Sequence, residues 1–124
     1  ALSYSGADVI GKATQFTYVQ SDDVTVLRRA GVEEQMTDGS VAGGSLVLRR
    51  EIWHDVRFAD RPRRVDALFL RGARALGARI YATSRWDFVY VRHGSDQTWR
   101  ADDAVFGEHA DRAWEGRHFE RANA

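Results

Sequence analysis

The residue best placed to do chemistry is Asp66, a single acid that follows three arginines in the stretch RPRRVDALFLRGARALG. Asp66 stands directly ahead of a segment with helical apolar spacing, where an aspartate is a favoured N-cap that contributes about 1 kcal/mol. The positive end of a helix also favours the ionised carboxylate, as a general base requires. The residues alone favour the cap, and the two roles are compatible.

The arginines ahead of this acid are Arg61, Arg63 and Arg64. Their planar guanidinium groups could hold an anionic acceptor or a phosphate, and Arg63 and Arg64 are candidates for substrate binding. A basic run beside a proline is more often a solvated loop, which is the alternative interpretation.

Aromatic side chains are concentrated in the segment RWDFVYVRH and in the string QTW. Alternation in the first segment places Trp86, Phe88 and Tyr90 on one face of a strand, which favours core packing. Trp99 stands outside that alternation, so it is the aromatic residue that we expect to stack on a substrate ring.

Composition limits the classes of function. The chain has 124 residues, 18 basic against 18 acidic, and no cysteine. The length fits one domain, and the balanced charge gives no reason to expect nucleic acid as a partner. Without cysteine there are no disulfides or thiolate metal sites, and the four histidines lack the spacing of a zinc helix. With no apolar run of roughly 20 residues and no signal peptide, we expect a cytoplasmic chain without a transmembrane segment.

Short periodic segments separated by glycines must supply the elements that position these residues. The segments ADVIGKATQFTYVQ and DDVTVLRR predict two strands joined by a turn at Asp22 and Asp23. The segment VAGGSLVLRREIWHDV predicts a glycine pair, a short strand and a helix from about Glu51. Interleaved strands and helices indicate an α/β or α+β fold in a single domain over residues 1–124.

The second half of the chain contains the clearest helix. It follows Asp66, has Gly77 in the left-handed position past its end, and carries one apolar face. The residues of that face are Leu68, Phe69, Ala73 and Leu76. ARIYATS and RWDFVYVRH predict strands, the second covered on both faces. The composition of residues 101–124 predicts a C-terminal helical tail, with a helix at 104–114.

Four strings, in this order and at these spacings, resemble the second half of bacterial family 2 glycosyltransferases with the GT-A fold. They are SGADVIGKATQFTYV, VAGGSLVLRREIW, VDALFLRGARALGARIYATSRWDFVYVRHG and QTW. The resemblance covers residues 7–100 and implies a partial GT-A-like mixed sheet flanked by helices, without the N-terminal nucleotide-binding half. It also implies the acceptor side of an enzyme that transfers a sugar from a nucleotide sugar to an acceptor hydroxyl, with little or no turnover by the chain alone.

The resemblance implies particular roles for residues in two of these strings. Gly43, Gly44 and Ser45 resemble the loop and strand beneath the transferred sugar, where larger side chains would obstruct it. Asp66 matches the acid that takes the proton from the acceptor hydroxyl, which is a poor nucleophile until that proton is removed.

Two positions depart from the family pattern. Val65 stands where the partner acid of Asp66 usually stands, so the second carboxylate is missing. Gln97 stands where the family has the histidine of its HTW string, which can contribute to metal binding near the diphosphate. Gln97 and, more weakly, His93 are therefore the metal candidates. The resemblance implies Mg²⁺ or Mn²⁺ in the full enzyme, with none bound by this chain alone.

Two hypotheses from other classes stay open. A small non-enzymatic binding module could use the arginine loop for a nucleic acid or an acidic protein, and phosphate binding of that kind would weaken steeply with salt. A self-associating domain could instead bury an apolar sheet edge in a homo-oligomer.

Overall fold

The computed structural model describes residues 1–60, 64–93 and 110–119. It has a mixed α/β structure with two four-stranded mixed sheets and few helices, which is compatible with the α+β class. The residues form two compact units: unit 1 is Ala1–Ala13 with Val32–Ser84, and unit 2 is Thr14–Gly31 with Arg85–Ala124. Across the described ranges, no helix combines the length and apolar character needed to cross a bilayer.

The helices and strands have the following bounds in chain order. They are α1 (Leu2–Ser5), β1 (Val9–Gly11), β2 (Gln15–Val19), β3 (Val24–Arg28), β4 (Gln35–Met36), β5 (Val47–Leu48), α2 (Arg50–Asp55), α3 (Val65–Ala75), β6 (Ile80–Ala82), β7 (Val89–Arg92) and β8 (Arg112–Glu115). Gly43–Ser45 forms a single 3₁₀ turn, which we call the glycine turn.

The sheet of unit 1 has the strand order β4-β6-β1-β5. Its two central strands, β1 and β6, are parallel, with Val9 opposite Ile80 and Gly11 opposite Ala82. The short outer strands β4 and β5 pair antiparallel to them. Because β1 and β6 run in the same direction, their carboxyl ends meet at one edge of the sheet.

The core of unit 1 lies between this sheet and α3. Its buried residues are Val9, Ala13, Val41, Val56, Phe69, Leu70, Ala73, Ile80 and Ala82. The predicted apolar face of α3 is therefore correct for Phe69 and Ala73 but wrong for Leu76, which is 62% exposed. Leu76 follows the last helical residue, so the helical period no longer fixes the direction of its side chain. Leu70 takes its place among the buried residues.

The start of α3 differs from the prediction. The helix begins at Val65, and its N-cap residue is Arg64, which has a left-handed φ of 61° and makes no side-chain cap hydrogen bond. Asp66 is therefore the second helical residue and not the N-cap, because helical geometry begins two positions earlier than the apolar period indicates. An acid in the first turn is still favoured by the helix dipole. The prediction for Gly77 is confirmed by its φ of +84°.

The sheet of unit 2 has the order β7-β2-β3-β8. The predicted hairpin is confirmed: β2 and β3 pair antiparallel from Gln15 opposite Arg28 to Val19 opposite Val24. The backbone N–H of Asp22 donates to the Val19 carbonyl at 3.3 Å within the connecting turn. The predicted first strand, however, is divided into β1 and β2, which belong to different sheets.

Two further predictions for unit 2 require correction. Val91 in β7 is 41% exposed, so this strand is not covered on both faces. Among the described residues, β7 pairs with β2. The predicted helix at 104–114 is wrong in its last part, because Arg112–Glu115 form the strand β8. Its first part, residues 104–109, lies outside the described residues. Pairing with β3 and the contact of Trp114 with Phe16, 6.2 Å between centroids, outweigh helix propensity in β8.

Candidate functional site

The carboxyl ends of the parallel strands in unit 1 form the base of the candidate site. The backbone N–H of Thr83, just after β6, donates to the Gly11 carbonyl at 2.9 Å. Beside it, the Lys12 ammonium donates to the Ser84 carbonyl at 2.5 Å. In α/β sheets, ligands bind beyond the carboxyl ends of parallel strands, so this edge is the expected position for a ligand.

Two hydrogen bonds join the glycine turn and the residue before it to the same edge, and a third closes the turn itself. The backbone N–H of Ala42 donates to the Lys12 carbonyl at 2.7 Å, and the N–H of Lys12 donates to the Ser45 Oγ at 2.8 Å. The Ser45 hydroxyl in turn donates to the Ala42 carbonyl at 2.7 Å. Since this uses the only proton of the hydroxyl, Ser45 can offer a ligand no more than a remaining acceptor lone pair.

The glycine turn touches the first turn of α3 at Gly43 and Asp66. A Cβ added to Gly43 would lie 2.8 Å from the Cβ of Asp66 and 2.9 Å from its Oδ2, whereas one added to Gly44 would meet nothing within 4 Å. Real Cβ atoms essentially never make contacts shorter than 3.0 Å, so the approach of the acid requires glycine at position 43. The fold thus brings together two segments that are far apart in the chain.

Asp66 is half-buried as a residue. Within residues 1–60, 64–93 and 110–119, no side chain or backbone group makes a hydrogen bond or an ion pair with its carboxylate. A carboxylate in this state can accept a proton from a hydroxyl that comes within about 2.6–3.2 Å. The glycine turn beside the carboxylate leaves room for such a group, because Gly44 is exposed and has open space around it.

Other predicted site residues are distributed differently. Arg64 is exposed at the N-cap of α3, next to half-buried Val65, so it borders the acid along the chain. His93 is exposed just after β7 in unit 2. The remaining predictions, for Arg63, Gln97 and Trp99, lie outside the described residues.

A metal ion of the kind that the resemblance implies would need several oxygen or nitrogen ligands in one place. No group of three or more His, Asp or Glu side chains that could hold one occurs in the described part of the chain. Those residues therefore do not fit a metal site, and the chemistry below assigns no step to a metal held by them.

The residue that sequence reasoning missed is Lys12. It is the single lysine of the chain, and its signal is a cation that directly follows the apolar run and glycine of VIGK. Its backbone holds the glycine turn and its side chain reaches the end of β6. Lys12 falls inside the single strand predicted for this segment, and its position at a strand end follows from the division of that strand into β1 and β2.

Comparison of the chain with the families of known proteins, with curated proteins and with solved structures finds no match.

Proposed function

We propose that this chain is the acceptor-side portion of a cytoplasmic family 2 glycosyltransferase with a GT-A fold, in which Asp66 is the general base. The observation that carries the proposal is the contact between Gly43 and an Asp66 carboxylate that has no partner among the described residues. These are the two segments to which the family resemblance gives the transferred sugar and the acceptor hydroxyl.

The proposed reaction needs one proton acceptor on the acceptor side. The acceptor hydroxyl oxygen forms a bond to the anomeric carbon of the donor sugar while Asp66 takes the hydroxyl proton. The bond from that carbon to the nucleotide diphosphate breaks, and the diphosphate leaves with the electron pair. The groups that hold the donor nucleotide are assigned to residues beyond this chain, so the chain alone should turn over little or nothing.

The decisive test replaces the carboxylate by an amide. In the gene product that contains this chain, Asp66→Asn should lower kcat for transfer from a nucleotide sugar by roughly 10²–10⁴-fold, because the amide cannot accept the proton. The matched control is Glu51→Gln, which makes the same change in the first turn of α2 on an exposed side chain. It should leave kcat unchanged.

Two results would contradict the proposal. Turnover by Asp66→Asn at the wild-type rate, with an unchanged circular dichroism spectrum, would reject Asp66 as the base. Micromolar binding of a nucleotide sugar by the isolated chain in calorimetry would reject the assignment of the donor site to residues beyond it.

A further inference from the structure

We infer that Gly11 is a positioning residue for the proposed transfer. It sets the place of residues 41–45, which we call the turn segment, at the end of β1, and the turn segment in turn sets the place of the Asp66 carboxylate. The inference rests on the proposed function, because it concerns the base of the same site. In this role Gly11 acts through the turn segment and takes no part in the chemistry itself.

Gly11 is a point of close approach between β1 and the turn segment. A Cβ added to Gly11 would lie 2.8 Å from the Val41 Cγ2, 2.9 Å from the Val41 Cβ and 3.3 Å from the Ser45 Oγ. The φ of Gly11 is not positive, so glycine is needed there for space and not for backbone conformation. A larger residue at position 11 would have to displace Val41, whose Cβ moves only together with its backbone.

The turn segment is the side of this contact that would move. β1 is paired with β5 and with β6, and the Gly11 carbonyl accepts from the Thr83 N–H at 2.9 Å and from the Thr83 hydroxyl at 3.3 Å. The turn segment, by contrast, is a loop that contains a single 3₁₀ turn. To reach an ordinary contact, the Val41 Cγ2 would have to withdraw from 2.8 Å to at least 3.4 Å, a shift of about 0.6 Å.

Hydrogen bonds and packing connect this shift to Asp66. The turn segment is attached to Lys12 twice, through the Ala42 N–H at 2.7 Å and through the Ser45 Oγ at 2.8 Å. Between these two attachments lies Gly43, where an added Cβ would be 2.8 Å from the Cβ of Asp66. The turn segment therefore packs on the end of β1 with one side and on the base with the other.

A displaced base should transfer the proton more slowly. A general base acts within about 2.6–3.2 Å of the oxygen that carries the proton. A misplacement of about 1 Å can lower the rate by about 10²-fold, so a shift of about 0.6 Å should lower it by roughly tenfold. Substrate binding that does not involve the carboxylate is unaffected, and KM should change little.

The experiment is a double-mutant cycle in the gene product that contains this chain. Gly11→Ala should lower kcat by roughly tenfold and leave KM within about twofold of wild type. In the Asp66→Asn background the same Gly11→Ala change should alter kcat by less than about twofold, because no base is left to misplace. A residue that only supports the fold would lower kcat equally in both backgrounds.

NMR of the ¹⁵N-labelled chain follows the displacement itself. Gly11→Ala should shift the amide resonances of Gly43 and Asp66. The matched control is Ile80→Val, which removes a methylene group from the buried core of the same unit. It should lower the melting temperature but leave those two resonances in place and kcat within about twofold of wild type.

A second variant keeps the test decisive if Gly11→Ala does not fold. Val41→Ala removes the methyl group nearest to the Gly11 position and leaves β1 unchanged. It should shift the same two amide resonances and lower kcat only while the Asp66 carboxylate is present.

The inference fails on either of two results: the Gly43 and Asp66 resonances stay in place in a folded variant, or kcat falls equally with and without the Asp66 carboxylate. The second result would leave the proposed function intact, because Asp66→Asn by itself would still lose transfer. Failure of the proposed function is distinguishable, since Asp66→Asn alone would then retain the wild-type rate.

Discussion

The two units use a side-chain hydroxyl in the same way but for different purposes. In unit 1 the Ser45 hydroxyl accepts from the Lys12 N–H and donates to the Ala42 carbonyl. In unit 2 the Thr25 hydroxyl accepts from the His118 N–H at 3.1 Å and donates to the Gly116 carbonyl at 2.6 Å. The first arrangement holds a loop beside a carboxylate that has no partner in the described part of the chain; the second holds the chain that follows β8 against β3.

The strands explain this difference. In the described part of unit 2 the central feature is a hairpin of two five-residue strands with continuous register, whose backbone groups pair with each other. In unit 1 the strands have two or three residues, and their parallel pair ends at an edge where side chains and turns must satisfy the backbone. Short parallel strands thus provide a position for a site, whereas the long hairpin provides a framework.

The largest effect on stability among the three changes below is expected in the glycine turn. Gly43→Ala should lower the free energy of unfolding by about 1–3 kcal/mol, since the new methyl group overlaps Asp66. Gly44→Ala is the matched control and should stay within about 0.5 kcal/mol, because its methyl group enters open space. Urea denaturation measures both.

A second substitution, made together with Gly43→Ala, identifies the atom of Asp66 that causes the destabilisation. The nearest atom to the added methyl group is the Cβ of Asp66, so Asp66→Gly should relieve the effect of Gly43→Ala whereas Asp66→Ala should not. Equal effects of Gly43→Ala and Gly44→Ala would show that the turn does not depend on this contact.

A smaller effect should separate the two hydroxyls. Ser45→Ala should cost roughly 1–2 kcal/mol, because the Lys12 N–H loses its acceptor, and it should shift the amide resonances of Gly43 and Asp66. Thr25→Val should cost a similar amount but leave those two resonances in place, since its partners belong to unit 2. If Thr25→Val moved them as strongly, the difference in purpose between the hydroxyls would be rejected.

The smallest effect concerns Tyr81 in β6. Its partial burial, followed by the neighbouring Tyr4, raises the pKa of its hydroxyl above the usual 10.0. The folded chain then holds the phenol proton more tightly than the unfolded chain does. The associated stability is complete below about pH 10 and is lost as the pH rises through the folded-state pKa.

Melting temperatures between pH 9 and 11.5 test this sign. The melting temperature of wild type should fall with increasing pH above about 10 more steeply than that of Tyr81→Phe, which has no proton to lose. Parallel curves for the two proteins would contradict the assignment.

Local patterns predicted the elements that depend on near neighbours. The turn at Asp22 and the left-handed Gly77 follow from what each residue type permits in its own backbone, and the hairpin follows from two adjacent β-rich segments. The buried positions of Phe69 and Ala73 follow from the helical period. None of these requires knowledge of distant parts of the chain.

The wrong predictions of secondary structure concern segments whose hydrogen-bonding partners lie far away in the sequence. Residues 112–114 have helix-compatible composition but pair with β3, because hydrogen bonds to a strand edge outweigh a weak intrinsic preference. The segment from Ala7 to Gln20 has the pattern of one strand, yet its two halves find partners in different sheets. Sequence spacing cannot show which partner is available.

The candidate site likewise combines features that the local sequence predicts with contacts that only the fold creates. The sequence by itself determined that an acid stands at the start of a helix and that a glycine pair precedes a short strand, because both depend on local backbone preferences. Only the tertiary structure decided that Gly43 lies against Asp66, that Ser45 and Lys12 hold the turn there, and that this carboxylate has no partner among the described residues. These contacts depend on the parallel pairing of β1 with β6, which brings the carboxyl ends of two strands that are far apart in the sequence to one edge of the sheet.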